Sequence, residues 1–277
     1  MIKNKQLIGF SIIILFLSGV FYLGLKRALP QNKLMFHDAV GKAYVEEQLK
    51  FDVPDISVFE KLKRMDNVLN YRLKTQGTYI YQDYYYDTPD LDLFKLGYLY
   101  RLRIRDKEDN IPEYGLQFKK EFDEKNNKDS IRDEIDDILP EELAKNTLSG
   151  NWQEVFSAKY DLLTIKKIDS FLKANNLDYS RLVPLLICRQ ERLRLRLRER
   201  SVVYFEISLD KVRFNLVNDG SKQIEFMQLE FENKLKGSIG RDNDRIGKLA
   251  KFFESEYKLT PSRESKYRKA VLELIKK

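Results

Sequence analysis

Tyr100-Arg-Leu-Arg-Ile-Arg105 and Arg192-Leu-Arg-Leu-Arg-Leu-Arg198 decide how the rest of this sequence is read. In an extended strand successive side chains point to opposite faces, so Arg101, Arg103 and Arg105 share one face while Leu102 and Ile104 share the other. The same alternation returns with the opposite charge in Gln228-Leu-Glu-Phe-Glu232. Weaker copies run through Glu46-Glu-Gln-Leu-Lys50, Gln117-Phe-Lys119, Arg132-Asp-Glu-Ile-Asp136 and Glu206-Ile-Ser-Leu-Asp210. An eighth strand, aromatic, spans Ile80 to Tyr86 and ends in the turn sequence Asp87-Thr-Pro-Asp90. Helical periodicity is expected at Ser57 to Leu73, Leu162 to Asn175, Ile246 to Tyr257 and Glu264 to Ile275.

Strands with one charged and one apolar face are ordinarily half-exposed sheet. Here, however, like charges are gathered strand by strand, and three or four on one face repel each other unless something pairs with them. Closing the sheet resolves this. Arg strands and carboxylate strands then face each other across a lumen, and the aliphatic faces point outward to be covered by helices. The expected class is α+β: an eight-stranded antiparallel β-barrel with a charged lumen and surrounding helices. Arg and Lys suit phosphate oxygens, and carboxylates suit the metal ions that sit on those oxygens.

Composition agrees with a folded domain: of 277 residues 43% are hydrophobic and 34% charged, with 17 Phe and 16 Tyr, too aromatic for disorder and too charged for a polytopic membrane protein. The net charge of +7 by itself does not separate nucleic acid, anionic lipid and small polyanions. Carboxylate strands would repel a nucleic-acid backbone, so no nucleic acid is expected. Cys188 is the only cysteine, which excludes an internal disulfide and reads as a small core residue.

Residues 7–25 carry no charge and are close to the roughly 20 residues a helix needs to cross a bilayer. A cleaved signal fits less well, since the apolar run is long and lacks a small-x-small site after it; a core helix would show a polar face. One N-terminal transmembrane helix is therefore expected, with residues 1–28 as anchor, 29–43 as linker and 44–277 as one domain. Lys26, Arg27, Lys33 and Lys42 outnumber Lys3 and Lys5, which favours a single-pass membrane protein with its domain in the cytoplasm.

Over about residues 44 to 275 the sequence resembles the CYTH family, the triphosphate tunnel metalloenzymes. Glu46-x-Gln48-x-Lys50 resembles the family's ExExK opening. Residues 84–105 resemble its Tyr-Asp-Thr-Pro hairpin and Arg-rich strand, and Ser265-Lys266-Tyr267 its closing SKY motif. The resemblance implies a tunnel holding a triphosphate-containing small molecule or polyphosphate together with Mg²⁺ or Mn²⁺. Carried over by position, Lys50, Arg101, Arg103, Lys119, Arg132, Arg192, Arg194 and Lys266 would bind phosphate. Glu46, Glu230 and Glu232 would bind metal, and Glu134 or Glu232 would orient the attacking water. The chain departs at Gln48, a neutral carbonyl where the family has a second Glu. Hydrolysis of a triphosphate is the leading expectation. Nucleotide cyclisation, polyphosphate synthesis and binding without turnover are the alternatives.

Overall fold

A computed structural model of the chain describes residues 44–45, 48–106, 111–121, 133–157, 159–199, 202–233, 243–262 and 264–276. The strands are β1 (Tyr44–Val45), β2 (Gln48–Val53), β3 (Asn67–Val68), β4 (Tyr71–Asp87), β5 (Tyr98–Arg105), β6 (Glu113–Lys120), β7 (Asp133–Leu139), β8 (Val183–Glu199), β9 (Val202–Leu216), β10 (Asp219–Asn233) and β11 (Thr260–Pro261). The helices are α1 (Ile56–Lys63), α2 (Asp92–Lys95), α3 (Glu141–Ser149), α4 (Trp152–Val155), α5 (Leu163–Ala174), α6 (Asn243–Tyr257) and α7 (Lys266–Leu274).

All the strands belong to one antiparallel sheet in the order β1-β7-β6-β5-β4-β8-β9-β10-β2-β11, with β3 on β4. All eight expected strands are present, lengthened and joined by three short ones. The expected closed eight-stranded barrel is corrected in one respect: the hydrogen-bonded ladder of these eleven strands is open. Yet its flanks are drawn together by the chain itself. Val45 pairs with Asp133 on β7, and Gln48, three residues on, pairs with Glu232 on β10. Three trans peptide steps span at most roughly 11 Å, so the sheet is curled.

The curl gives the sheet a concave face, and the period-2 pattern sorts residues between the two faces. Leu193, Leu195 and Leu197 with Phe205, Ile207 and Leu209 point outward and pack against Phe59 and Leu62 of α1 and Leu249 and Phe253 of α6. On the other flank Leu102, Leu116 and Phe118 meet Leu143 of α3, Trp152 of α4 and Ile168 of α5. The third apolar cluster lies on the concave face, where Leu186, Cys188, Val212 and Phe214 meet Tyr267, Ala270 and Val271 of α7. Cys188 is thus the buried core residue expected.

Register shifts by one residue between Thr75 and Gly77, a bulge that bends β4. Gly77 sits there at φ 136°, a conformation that side chains disfavour. The helix expected from Ser57 to Leu73 stops at Lys63, and Asn67–Val68 and Tyr71–Leu73 form a hairpin instead. Residues 7–25 lie outside the described residues; among those described, no helix is long and apolar enough to cross a membrane.

Candidate functional site

The concave face carries a lattice of buried ions in two groups. The first is centred on Asp83, which is fully buried at the middle of an aromatic stretch of β4. Register puts Asp83 opposite Arg103 on β5. Arg103 grips it with a two-pronged contact, Nε to Oδ1 and Nη2 to Oδ2, both 2.7 Å, while Arg101 Nη1 donates to Oδ2 at 3.1 Å. Arg101 also donates to Gln117 on β6 and to the Tyr85 hydroxyl. Burial alone would raise the Asp83 carboxyl, but the Arg103 and Arg101 charges outweigh it and bring it down to about 2.

The second group is centred on Arg192. Its guanidinium bonds both oxygens of Asp210 at 2.8 and 2.7 Å and reaches Glu230 on β10 at 2.7 Å. Lys266 comes in from the first turn of α7, 2.5 Å from Glu230 and 3.0 Å from Asp210. Against the opposing effect of burial, Lys266, Arg192 and Lys50 hold the Glu230 carboxyl well below the usual range. Arg192 and Lys266 likewise lower Asp210. Nearer the far end, Arg194 and Arg196 both lie 3.5 Å from Glu206.

Helix α7 seats Lys266 through its neighbours. Ser265 caps the helix by accepting from the Arg268 N–H at 3.0 Å. The Tyr267 ring stacks on Tyr85 at 5.0 Å between centroids, and its hydroxyl donates to Asp87 at 3.2 Å. Asp87 in turn accepts from the N–H groups of Thr88, Leu93 and Phe94. The Asp-Thr-Pro-Asp turn, α2 and the Ser-Lys-Tyr segment are therefore one joint.

Of the residues picked out from sequence, Lys50, Arg101, Arg103, Lys119, Arg192, Arg194, Lys266, Glu230 and Glu232 share the concave face. Glu134 is fixed through its backbone, opposite Lys119 and Tyr44. Glu46 and Arg132 lie outside the described residues. Sequence reading missed Asp83, Glu206, Asp210 and Gln117 as site members. Glu206 and Asp210 stand in an alternating strand that already read as carboxylate-bearing; Asp83 is a single acid among tyrosines.

Among the described residues, no three His, Cys, Asp or Glu side chains are gathered into a ready metal cage. Mg²⁺ seldom needs one, since it is usually held by one or two carboxylates together with substrate phosphates and water. Glu232 lies in register with Glu206 on β9, with Glu230 two residues away on the same face. These hard oxygen donors suit that kind of ion.

Residues 48–270 match the family model of the CYTH domain. The chain belongs to the CYTH family. No curated protein matches it in sequence. Among solved structures, a proposed adenylate cyclase from Bacillus halodurans superposes with a TM-score of 0.53 at 18% identity, over 82% of this chain and 97% of that one. A proposed adenylyl cyclase from Hippeastrum with a dominant triphosphatase activity superposes with a TM-score of 0.56 at 16% identity, over 82% and 94%. At these identities the likeness establishes a shared CYTH fold.

Proposed function

We propose that this CYTH chain binds a triphosphate-containing small molecule or polyphosphate on the concave face of its sheet and hydrolyses a phosphoanhydride bond with Mg²⁺ or Mn²⁺. The observation that carries this reading is the set of buried cations, Arg101, Arg103, Arg192 and Lys266 at its centre, each held by a carboxylate that phosphate oxygens can replace. The guanidiniums clamp the chain of phosphates, and Lys50, Lys119, Arg132 and Arg194 extend the clamp. Phosphoryl transfer asks a protein mainly for positioning and for charge at the transferring group. Glu230, Glu232 and Glu46 are the residues that would hold the divalent ion, which when bound supplies charge on the phosphate oxygens. Glu134 or Glu232 orients the attacking water. The apolar run 7–25 anchors the chain in a membrane with the CYTH domain on the cytoplasmic side.

Gln48 favours a second reading, capture of the same ligand without turnover, because a carboxamide cannot take a proton and is a weaker magnesium ligand than Glu. Phosphate release by the full-length chain from inorganic triphosphate, ATP and long-chain polyphosphate, with Mg²⁺ or Mn²⁺ and with chelator, separates the two. Hydrolysis predicts metal-dependent release that falls roughly a hundredfold in Arg194→Ala and Glu232→Ala. No release, with triphosphate still raising Tm, selects the binding module. Cyclic nucleotide with pyrophosphate from ATP selects cyclisation, and neither release nor stabilisation contradicts the phosphate reading.

A further inference from the structure

Among the described residues, two neighbouring polar groups in the middle of the concave face have no hydrogen-bond partner. The Tyr81 hydroxyl and the Gln190 side-chain nitrogen are buried without a hydrogen bond, on residues that are each 1% exposed. The β4–β8 register sets Tyr81 directly opposite Gln190. Both belong to the inward set, Tyr81 two residues before Asp83 and Gln190 two before Arg192. The Arg103 guanidinium lies 4.4 Å from the Tyr81 ring centroid. The Tyr81 hydroxyl is also near enough to Arg192 to act on its charge. The pair thus stands between the ion group of Asp83 and that of Arg192.

Buried donors without an acceptor are destabilising and rare in folded proteins. Packing does not require them here, since Phe and Met would fill the same space without the loss. The neighbouring carboxylates of Asp83, Asp210 and Glu230 are already paired with cations, so they do not serve as acceptors for these two donors. Two donors held ready beside two guanidiniums suit an incoming anion with several oxygens.

We propose that Tyr81 and Gln190 form a neutral hydrogen-bonding subsite for phosphate oxygens of the ligand, uncovered when Arg103 and Arg192 turn from Asp83 and Asp210 toward it. This inference rests on the phosphate reading above. Guanidiniums supply charge that acts over distance, whereas a hydroxyl and an amide act only in contact and so fix where along the face a phosphoryl group stops.

The test uses Tyr81→Phe and Gln190→Met in the full-length chain, singly and together, measuring Tm without ligand and Kd for inorganic triphosphate by calorimetry at fixed salt and Mg²⁺. Each single variant is expected to leave Tm unchanged or higher, because an orphan has been removed, and to weaken Kd about tenfold. Unchanged Kd in both variants overturns the subsite, as does a lowered Tm with unchanged Kd, which marks a purely structural role. A wild-type chain that does not bind triphosphate removes the phosphate reading and this inference with it.

Discussion

Removing the Asp83 carboxylate would leave the Arg101 and Arg103 guanidiniums facing one another with almost no access to water. Breaking a buried ion pair in this way typically costs about 3 kcal/mol. Asp83→Asn is accordingly expected to lower the unfolding free energy by about that amount, measured by urea titration. A pH signature accompanies it. The folded carboxyl sits at about 2 against an ordinary 3.8, so its stabilisation is complete above the ordinary value and disappears as pH falls through the folded one. That contribution is about 2 kcal/mol, and the gap between wild type and Asp83→Asn should narrow between roughly pH 5 and pH 2. A gap independent of pH contradicts the assignment. Sequence patterning did not reveal Asp83, because it is one acid in a run of tyrosines whose apolar character dominates the reading. The arginines were legible since they alternate with leucine and isoleucine, and that alternation fixes their face.

At the scale of elements, the joint between the end of β4 and the start of α7 depends on Asp87. Three backbone N–H groups and the Tyr267 hydroxyl donate to its two oxygens in a buried setting. Asp87→Ala leaves those donors without an acceptor and should destabilise the chain by roughly 3 kcal/mol, whereas Tyr267→Phe, losing one bond, should cost about 1 kcal/mol. Equal, small effects in urea titrations of the two variants would show that the joint is not held this way. The turn's Asp-Thr-Pro-Asp spelling and the Ser-Lys-Tyr motif were both readable, but that they meet is a tertiary fact. The hairpin after α1 was read as helix for a physical reason. Its reversal uses Leu69 at φ 50° rather than Gly or Pro, so the strongest turn signals are missing, and Asp66, Asn67 and Asn70 alone did not break the helical spacing. Helix α3 was overlooked despite Pro140, Glu141 and Glu142 at its start and Gly150, at φ 71°, just past its end.

For the whole molecule, like charges gathered strand by strand pointed to a closed eight-stranded barrel, where the structure has a curled but open ladder of eleven strands; the CYTH motifs pointed to the family that the chain belongs to. What patterning could not supply was the pairing: which carboxylate holds which arginine depends on register between strands far apart in sequence. Arg192, for example, meets Glu230 across the intervening strand β9. These pairings make the concave face a lattice of paired ions, which under the proposed function an anion with several oxygens enters by exchange. The most direct measurement is the heat of binding of inorganic triphosphate to the full-length chain with Mg²⁺, at physiological and at raised salt. Saturable binding to one site per chain, weakening as salt screens the guanidiniums, is the predicted result. A chain that takes up no triphosphate at either salt concentration, with no change in Tm, would contradict the account at its centre.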